Sequence, residues 1–367
     1  MALFDDDPSP RPQGRSRREW IGWIALGVAA AIGLTFALLP SPYVIEQPGP
    51  VYDTLGVAEH EGEEVPLIEI PDAETFPTDG ELNLLTVTVL GRPGQTPNWL
   101  DVLGAWFDRT RSVVPVEAIF PPGVTDADRD AQNTAAMVDS QQDAIAAALV
   151  ELGYDFPRDV TVAGVLDDSP AAGVLEEGDI ITEVNGTAVN SVDELRAAVR
   201  ENGGGTPASL LVVRDGDEQV IEVTPVERDG SVVLGVGVRM DYEFPIDVEL
   251  QLDNVGGPSA GMMFALGIID KLTPDAMTGG EIVAGTGTID SAGEVGAIGG
   301  IRQKLWGAED AGADWFLAPA SNCDEVTGHV PDGLSVFAVS TLDEARTIVE
   351  AIGEGADTSG FASCPAA

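Results

Sequence analysis

"GGPSAGM", residues Gly256 to Met262, runs straight into the apolar stretch "MFALGIIDKL". The apolar run predicts a buried helix that opens at Pro258. Gly256 and Gly257 permit a tight turn that a side chain would block. Pro258 fits the first helical position. Ser259 then falls in the first turn, where unpaired N–H groups and the positive end of the helix dipole converge. A serine so placed has two readings. It caps the helix, or it is a nucleophile whose developing oxyanion is held by the N–H groups of Gly257, Ser259 and Ala260.

A nucleophilic serine needs a base, and the chain offers few. Histidine occurs at His60, in the acidic "AEHEGEE", and at His329, in the loop "TGHVPDG". Neither neighbourhood reads as a buried triad. Lysine occurs at Lys271 and Lys304. Lys271 lies at the far end of the serine's own helix, about 18 Å along the axis, and suits the dipole there. Lys304 lies in "GEVGAIGGIRQKLWGAED", where Gly299-Gly300 opens a helix with Ile301, Leu305 and Ala308 as its apolar stripe. It sits on the margin of that stripe. A surface lysine laying its stem along apolar neighbours is one reading. The other is a desolvated base, which needs a pKa near 7–8 and hence about 4 kcal/mol of destabilisation of the charged form.

The whole chain has 367 residues, 62 acidic against 18 basic, for a net charge of -44. Such a surface repels nucleic acid and anionic headgroups. With 44% hydrophobic residues the composition is nonetheless globular. Trp20 to Leu39 is uncharged over about 30 Å of helix, enough to cross a bilayer, with Trp20 and Trp23 at one end and Pro40 at the other. Arg11, Arg15, Arg17 and Arg18 precede it, and the next basic residue is Arg92. The positive-inside rule puts the N-terminus in the cytoplasm and the remainder outside the cell membrane. A cleaved signal peptide is the rival reading, which "ALLPSP" serves poorly as a cleavage site. An exported location makes Cys323 and Cys364 a candidate disulfide worth about 3–4 kcal/mol in the loop-entropy picture.

Between anchor and serine, "LNLLTVTVL" reads as a strand. "NWLDVLGAWF" places Trp99, Leu100, Leu103, Trp106 and Phe107 at helical spacing, a stripe expected in a core, with a membrane-surface helix as the minor alternative. From Asp159 the order is strand, "SPAAG", "GDIITEVNGTAV" with a hairpin turn at Asn185-Gly186, then "SVDELRAAVREN" with Ser191 and Glu194 as a capping box. A last hairpin turns at Asp215-Gly216. This succession resembles a PDZ domain over about 70 residues. The resemblance implies a peptide-binding groove beside the helix from Ser191 to Arg200, or a domain serving only as a spacer. It also implies a carboxylate-binding loop just before Asp159, near "LGYDFP".

"GGPSAGM", "MTGGEIVAGTGTID" and "GEVGAIGGIRQK", with serine and lysine 45 positions apart, together resemble the proteolytic domain of the Lon family over about residues 230–350. With the anchor and the PDZ-like unit, the chain resembles the membrane-anchored, PDZ-containing Lon-like proteases of bacteria. That resemblance implies Ser259 as nucleophile and Lys304 as general base. It implies that Thr278, in "MTGG", helps to hold the lysine, although a turn or cap serves it equally. Gly257 stands where the family often has an acidic residue, and Asp253 is a distant substitute. No lysine here lies in a Walker A loop, so cleavage is expected to be ATP-independent, without cofactor or metal.

The expected fold is α+β: a single transmembrane helix, a PDZ-like β-rich domain and a Lon-type proteolytic domain. A cytoplasmic basic tail covers 1–18, the anchor 19–40, and an exported β/α segment packing with the protease 41–135. A connector helix with the PDZ-like domain covers 136–228, the proteolytic domain 229–352, and a flexible tail with Cys364 353–367. The implied function is a serine endopeptidase cutting unfolded or tail-exposed envelope proteins, with peptide or protein as substrate. The resemblance extends to a homo-oligomer, for which no interface is legible. A non-catalytic peptide-binding adaptor and a hydrolase of non-peptide esters remain as alternatives.

Overall fold

The computed structural model describes residues 17–60, 62–228, 230–252 and 255–364. Arg11, Arg15 and Asp253 therefore lie outside the described residues. The chain divides into two compact units, residues 1–47 with 89–123, and residues 48–88 with 124–367.

In the first unit, α1 (Arg17–Leu38) carries the segment Trp20–Leu38, with mean hydropathy 2.1 and no part of it buried. It is long and apolar enough to cross a membrane. Strand β1 (Tyr43–Asp53) starts in this unit and β2 (Glu81–Leu90) ends in it. Helix α2 (Trp99–Trp106) opens on a capping box: the Asn98 side chain accepts from the N–H groups of Leu100 and Asp101, and the Asp101 carboxylate takes the N–H of Asn98. Strand β3 (Ser112–Pro115) pairs antiparallel with Tyr43–Glu46. The expected core stripe of α2 is corrected here. Only Val102 and Ala105 are buried, while Leu100, Leu103, Trp106 and Phe107 stand exposed, Phe107 at 85%. The helix packs beside β3 and α1 with Val102 and Ala105 buried, and its large side chains are left outward.

The second unit opens with α3 (Asp126–Glu151), capped by Thr125, whose hydroxyl accepts from Asp128 N–H while Asp128 accepts from Thr125 N–H. Its alanines, Ala144 and Ala146 to Ala148, are buried and permit close helix packing. The helix runs unbroken through the boundary expected at 135/136. It is no mere connector, because it packs on the helix that follows Ser259.

The PDZ-like sheet is built from β4 (Arg158–Val165) and β5 (Ile180–Val184), then helix α4 (Val192–Asn202), then β6 (Ala208–Arg214), β7 (Asp217–Val223) and β8 (Val236–Tyr242). The order is β7-β6-β5-β4-β8, so β8 is an edge strand. Asn185 and Asp215 take the positive φ values that both hairpin turns require. Ser191 caps α4 by accepting from Glu194 N–H, and Glu194 reaches back to Asn190 N–H. Residues 236–242 were expected in the proteolytic domain. They pair instead with β4, Val236 opposite Val165 and Tyr242 opposite Arg158. The Tyr242 hydroxyl then donates to Asp143 of α3 at 2.5 Å.

The proteolytic part continues with α5 (Gly261–Leu272), β9 (Ile282–Gly285), α6 (Ile301–Asp310), β10 (Trp315–Pro319), β11 (Ser335–Val339) and α7 (Leu342–Gly353). Its sheet runs β11-β10-β9-β2-β1, with β2, β9, β10 and β11 parallel in turn. The core under it includes Leu82, Leu84, Met262, Met263, Phe264 and Leu266. Residues 48–88 are thus part of this core.

Cys323 and Cys364 are joined by a disulfide. As far as Cys364, the tail is not the flexible segment that its Gly and Ser content suggests. Ala338 N–H donates to Ala362 oxygen, Phe361 packs edge-on to Phe337, and Cys364 is buried. The tail covers the outer edge of β11, which would otherwise offer unpaired backbone groups.

Candidate active site

Helix α5 starts at Gly261 with Ala260 as N-cap and no side-chain cap. Ser259 therefore lies two residues before the helix, in the turn rather than on its first turn. The capping reading of the opening serine fails on this geometry, because its hydroxyl is engaged elsewhere. Lys304 Nζ donates to Ser259 Oγ at 2.7 Å.

Two elements clamp the serine turn. From α3, Asn133 oxygen accepts Gly257 N–H at 3.0 Å, and the Ser140 hydroxyl donates to Pro258 oxygen at 2.9 Å. From the end of β9, Thr286 Oγ1 donates to Ser259 oxygen at 2.9 Å, and Gly287 N–H donates to the same oxygen at 3.0 Å. Gly257 is thereby corrected as an oxyanion donor, because its N–H is already given to Asn133. No acceptor among the described residues engages the N–H of Ser259 or Ala260.

Lys304 arrives on α6. Gly300 enters that helix at φ +69°, and a Cβ there would come within 2.7 Å of Val87. The Asn322 amide fixes the approach by exchanging two 2.9 Å hydrogen bonds with Ile298. Lys304 is 2% exposed, beside buried Ile301, Leu305 and Ala308. Burial alone lowers its pKa to about 7. No ion pair among the described residues reaches it. An apolar pocket that offers the ammonium only hydroxyl acceptors favours the neutral amine.

The expected role of Thr278 is corrected. Its hydroxyl donates to Asp79 oxygen and so ties the "MTGG" turn to the segment before β2. The threonine at the lysine is Thr286, with Lys304 Nζ at 2.8 Å from Thr286 Oγ1. Thr286 was missed because "AGTGTID" offers two threonines beside that of "MTGG", and only the strand's end selects among them. Serine and lysine open on a cleft of about 380 Å³ lined also by Tyr52, Leu84 to Thr88 and Met137. Neither histidine lines it.

A second apolar groove, about 470 Å³, lies between α4 (Leu195, Arg196, Val199) and residues 232–238, with Arg228 beside it. This corrects the placement of the carboxylate loop near "LGYDFP". Phe156 packs instead against Tyr242 and Phe244 in the proteolytic core. The reason is topological: β4 is interior to its sheet, and the open edge belongs to β8.

Residues 254–351 match the Lon protease (S16) C-terminal proteolytic domain, and residues 130–224 match a PDZ domain. Lon protease 2 of Herpetosiphon aurantiacus is 36% identical over 185 residues, 43% of this chain and 22% of that protein. Lon protease 1 of Bacillus subtilis is 31% identical over 116 residues, 30% of this chain and 15% of that protein. The chain thus spans less than a quarter of either relative. Among solved structures, the PDZ domain of an SdrC-like protein from Listeria monocytogenes is 27% identical. It covers 22% of this chain and 85% of its own, with a TM-score of 0.21. The chain combines a PDZ domain with a Lon-type proteolytic domain. These likenesses support a Lon-like serine protease.

Proposed function

We propose that the chain is an ATP-independent, membrane-anchored serine endopeptidase that cuts unfolded or tail-exposed envelope proteins delivered by its PDZ domain. The observation that carries this reading is the 2.7 Å contact between a buried, charge-unpartnered Lys304 amine and the Ser259 hydroxyl. Near neutral pH a substantial fraction of that amine is unprotonated. The neutral amine takes the proton of Ser259 as Oγ attacks the scissile carbonyl. The N–H groups of Ser259 and Ala260, at the positive end of α5, face the developing oxyanion. The lysine ammonium then protonates the leaving amine. Water, activated by the same lysine, releases the acyl group and regenerates the serine.

The substrate backbone has a place to lie. β2 pairs with β9 only as far as Leu84 opposite Gly285, and beyond it Leu85 to Thr88 line the cleft. An extended peptide adding to that stretch is held across the serine. No lysine of the chain follows the glycine of a Walker A loop, since Lys271 follows Asp270 and Lys304 follows Gln303. Ser259→Ala is expected to remove hydrolysis of an unfolded reporter protein and labelling by a serine-reactive phosphonate, with an unchanged melting curve. Retained labelling or hydrolysis in that variant rules out Ser259 as the nucleophile.

For the anchor, α1 spans the bilayer with its N-terminus in the cytoplasm, and α2 rests its exposed Leu103, Trp106 and Phe107 on the outer lipid surface. The whole chain expressed in bacteria should resist alkaline extraction, and external protease should degrade everything after α1. Protection of residues beyond Pro40 in intact spheroplasts would reverse the orientation.

A further inference from the structure

Three clefts of the second unit share lining residues in turn. The PDZ groove shares Arg196 and Val238 with a larger cleft of about 460 Å³ between the PDZ sheet and the proteolytic core. That cleft in turn shares Pro258 with the cleft holding Ser259 and Lys304. Its PDZ wall is the N-terminal part of α4 with residues 238–240 and Tyr242 of β8. Its opposite wall is the 288–296 turn, and α3 also lines it.

The polarity of an occupant follows from charge. In a chain of net charge -44, the PDZ groove is lined by two arginines and by no carboxylate. Arg196 stands where the groove meets the middle cleft and is paired with Asp193, which leaves Arg228, outside the middle cleft, as the cation for a terminal carboxylate. It ends at the turn of Leu234 and Gly235. Gly235 has φ +79°, and a Cβ there would come 2.2 Å from Ser169. A free carboxylate at that end directs the rest of a bound strand antiparallel to β8, from Val236 towards Tyr242. From Val238 to Tyr242 the same strand lines the middle cleft, and that cleft shares Pro258 with the serine cleft.

We propose that the PDZ groove, the middle cleft and the serine cleft form one continuous substrate track. The track takes a polypeptide tail ending in an apolar residue with a free carboxylate, and sets the first cut at a fixed distance upstream of that end. This inference rests on the protease reading above and specifies how its substrate is measured. β8 has seven residues, so a paired tail covers about seven, and crossing the middle cleft takes several more. The first cut therefore falls about ten or more residues from the carboxylate. The middle cleft carries five carboxylates, Asp139, Asp143, Asp193, Asp290 and Glu294, against Arg196 and Arg239, so the crossing segment is favoured when it bears Lys or Arg.

The test uses the full chain in detergent and unstructured peptides built on a repeated cleavable sequence with an apolar C-terminal residue. First cuts are mapped by mass spectrometry. The expected result is one dominant cut, moved by two residues when two residues are inserted before the tail. Amidation of the terminus should lower kcat/KM at least tenfold and scatter the cuts. Glu in place of Lys within the crossing segment should lower it several-fold. Scattered cuts by wild type, insensitive to insertion and to amidation, overturn the track while leaving the protease reading intact. Absence of any cut that Ser259→Ala also lacks removes the protease reading, and the track falls with it.

Discussion

Lys304→Met is expected to abolish hydrolysis and, at the same time, to raise the melting temperature. Burial lowers the folded pKa of Lys304 to about 7, against an ordinary lysine value of 10.5. The difference corresponds to about 4–5 kcal/mol of destabilisation of the charged form, with no carboxylate among the described residues paired to offset it. Between about pH 7 and pH 10 the unfolded chain holds a proton that the native chain has shed. Native stability therefore climbs as pH rises through that window, and below about pH 7 the full cost stands. Methionine fills much of the same space without a charge. After the loss of the hydrogen bonds to Ser259 and Thr286, a net gain of about 2–4 kcal/mol at pH 6 is expected. The pH slope assigned to Lys304 should vanish with it. In the wild type, kcat/KM should rise with pH to a plateau just above 7. The variant should lose at least about a thousandfold of it, the upper part of the range for a general base. Thermal melts at pH 6 and pH 9 give the check: a variant no more stable than wild type at pH 6 means that the lysine is solvated and the base assignment fails.

The pairing of Ser259 with Lys304 was legible because three short stretches coincided, although neither residue stood out alone. What surrounds the pair was not legible. Thr286 lies one residue past β9, and its reach depends on the serine turn folding over the strand's end. The same holds for β8. "VGVRMDY" alternates equally well as a strand of either domain, and only its register with β4, about 75 positions earlier, decides between them. The α2 stripe was seen as a helix face, but periodicity says nothing about what covers it. The tail misled in the opposite sense, since Gly and Ser favour mobility while a disulfide and one edge hydrogen bond override it. Local patterns carried the hairpins and caps of the PDZ sheet. Long-range pairing carried the site.

Thr286→Val should lower kcat about 10- to 100-fold with little change in KM, which makes Thr286 a positioning residue. Valine keeps the buried volume of a side chain that is 1% exposed. It removes the hydroxyl that accepts from Lys304 Nζ and donates to Ser259 oxygen. Ser259 oxygen keeps Gly287 N–H, so the turn itself should hold. The amine, however, loses one of its two hydroxyl partners and with it a fixed aim at Oγ, and misplacement on the ångström scale costs on this order. The hydroxyl also favours the charged amine by accepting from it, so its removal should shift the acid limb of the pH–rate profile below about 7 even as the plateau falls. Thr286→Ser, which keeps the oxygen, should restore both the rate and the limb. Thr278→Val gives the contrast: its hydroxyl serves Asp79, and its loss should lower stability without moving the limb. A Thr286→Val enzyme with wild-type kcat and an unmoved limb would show that Lys304 needs no such hold.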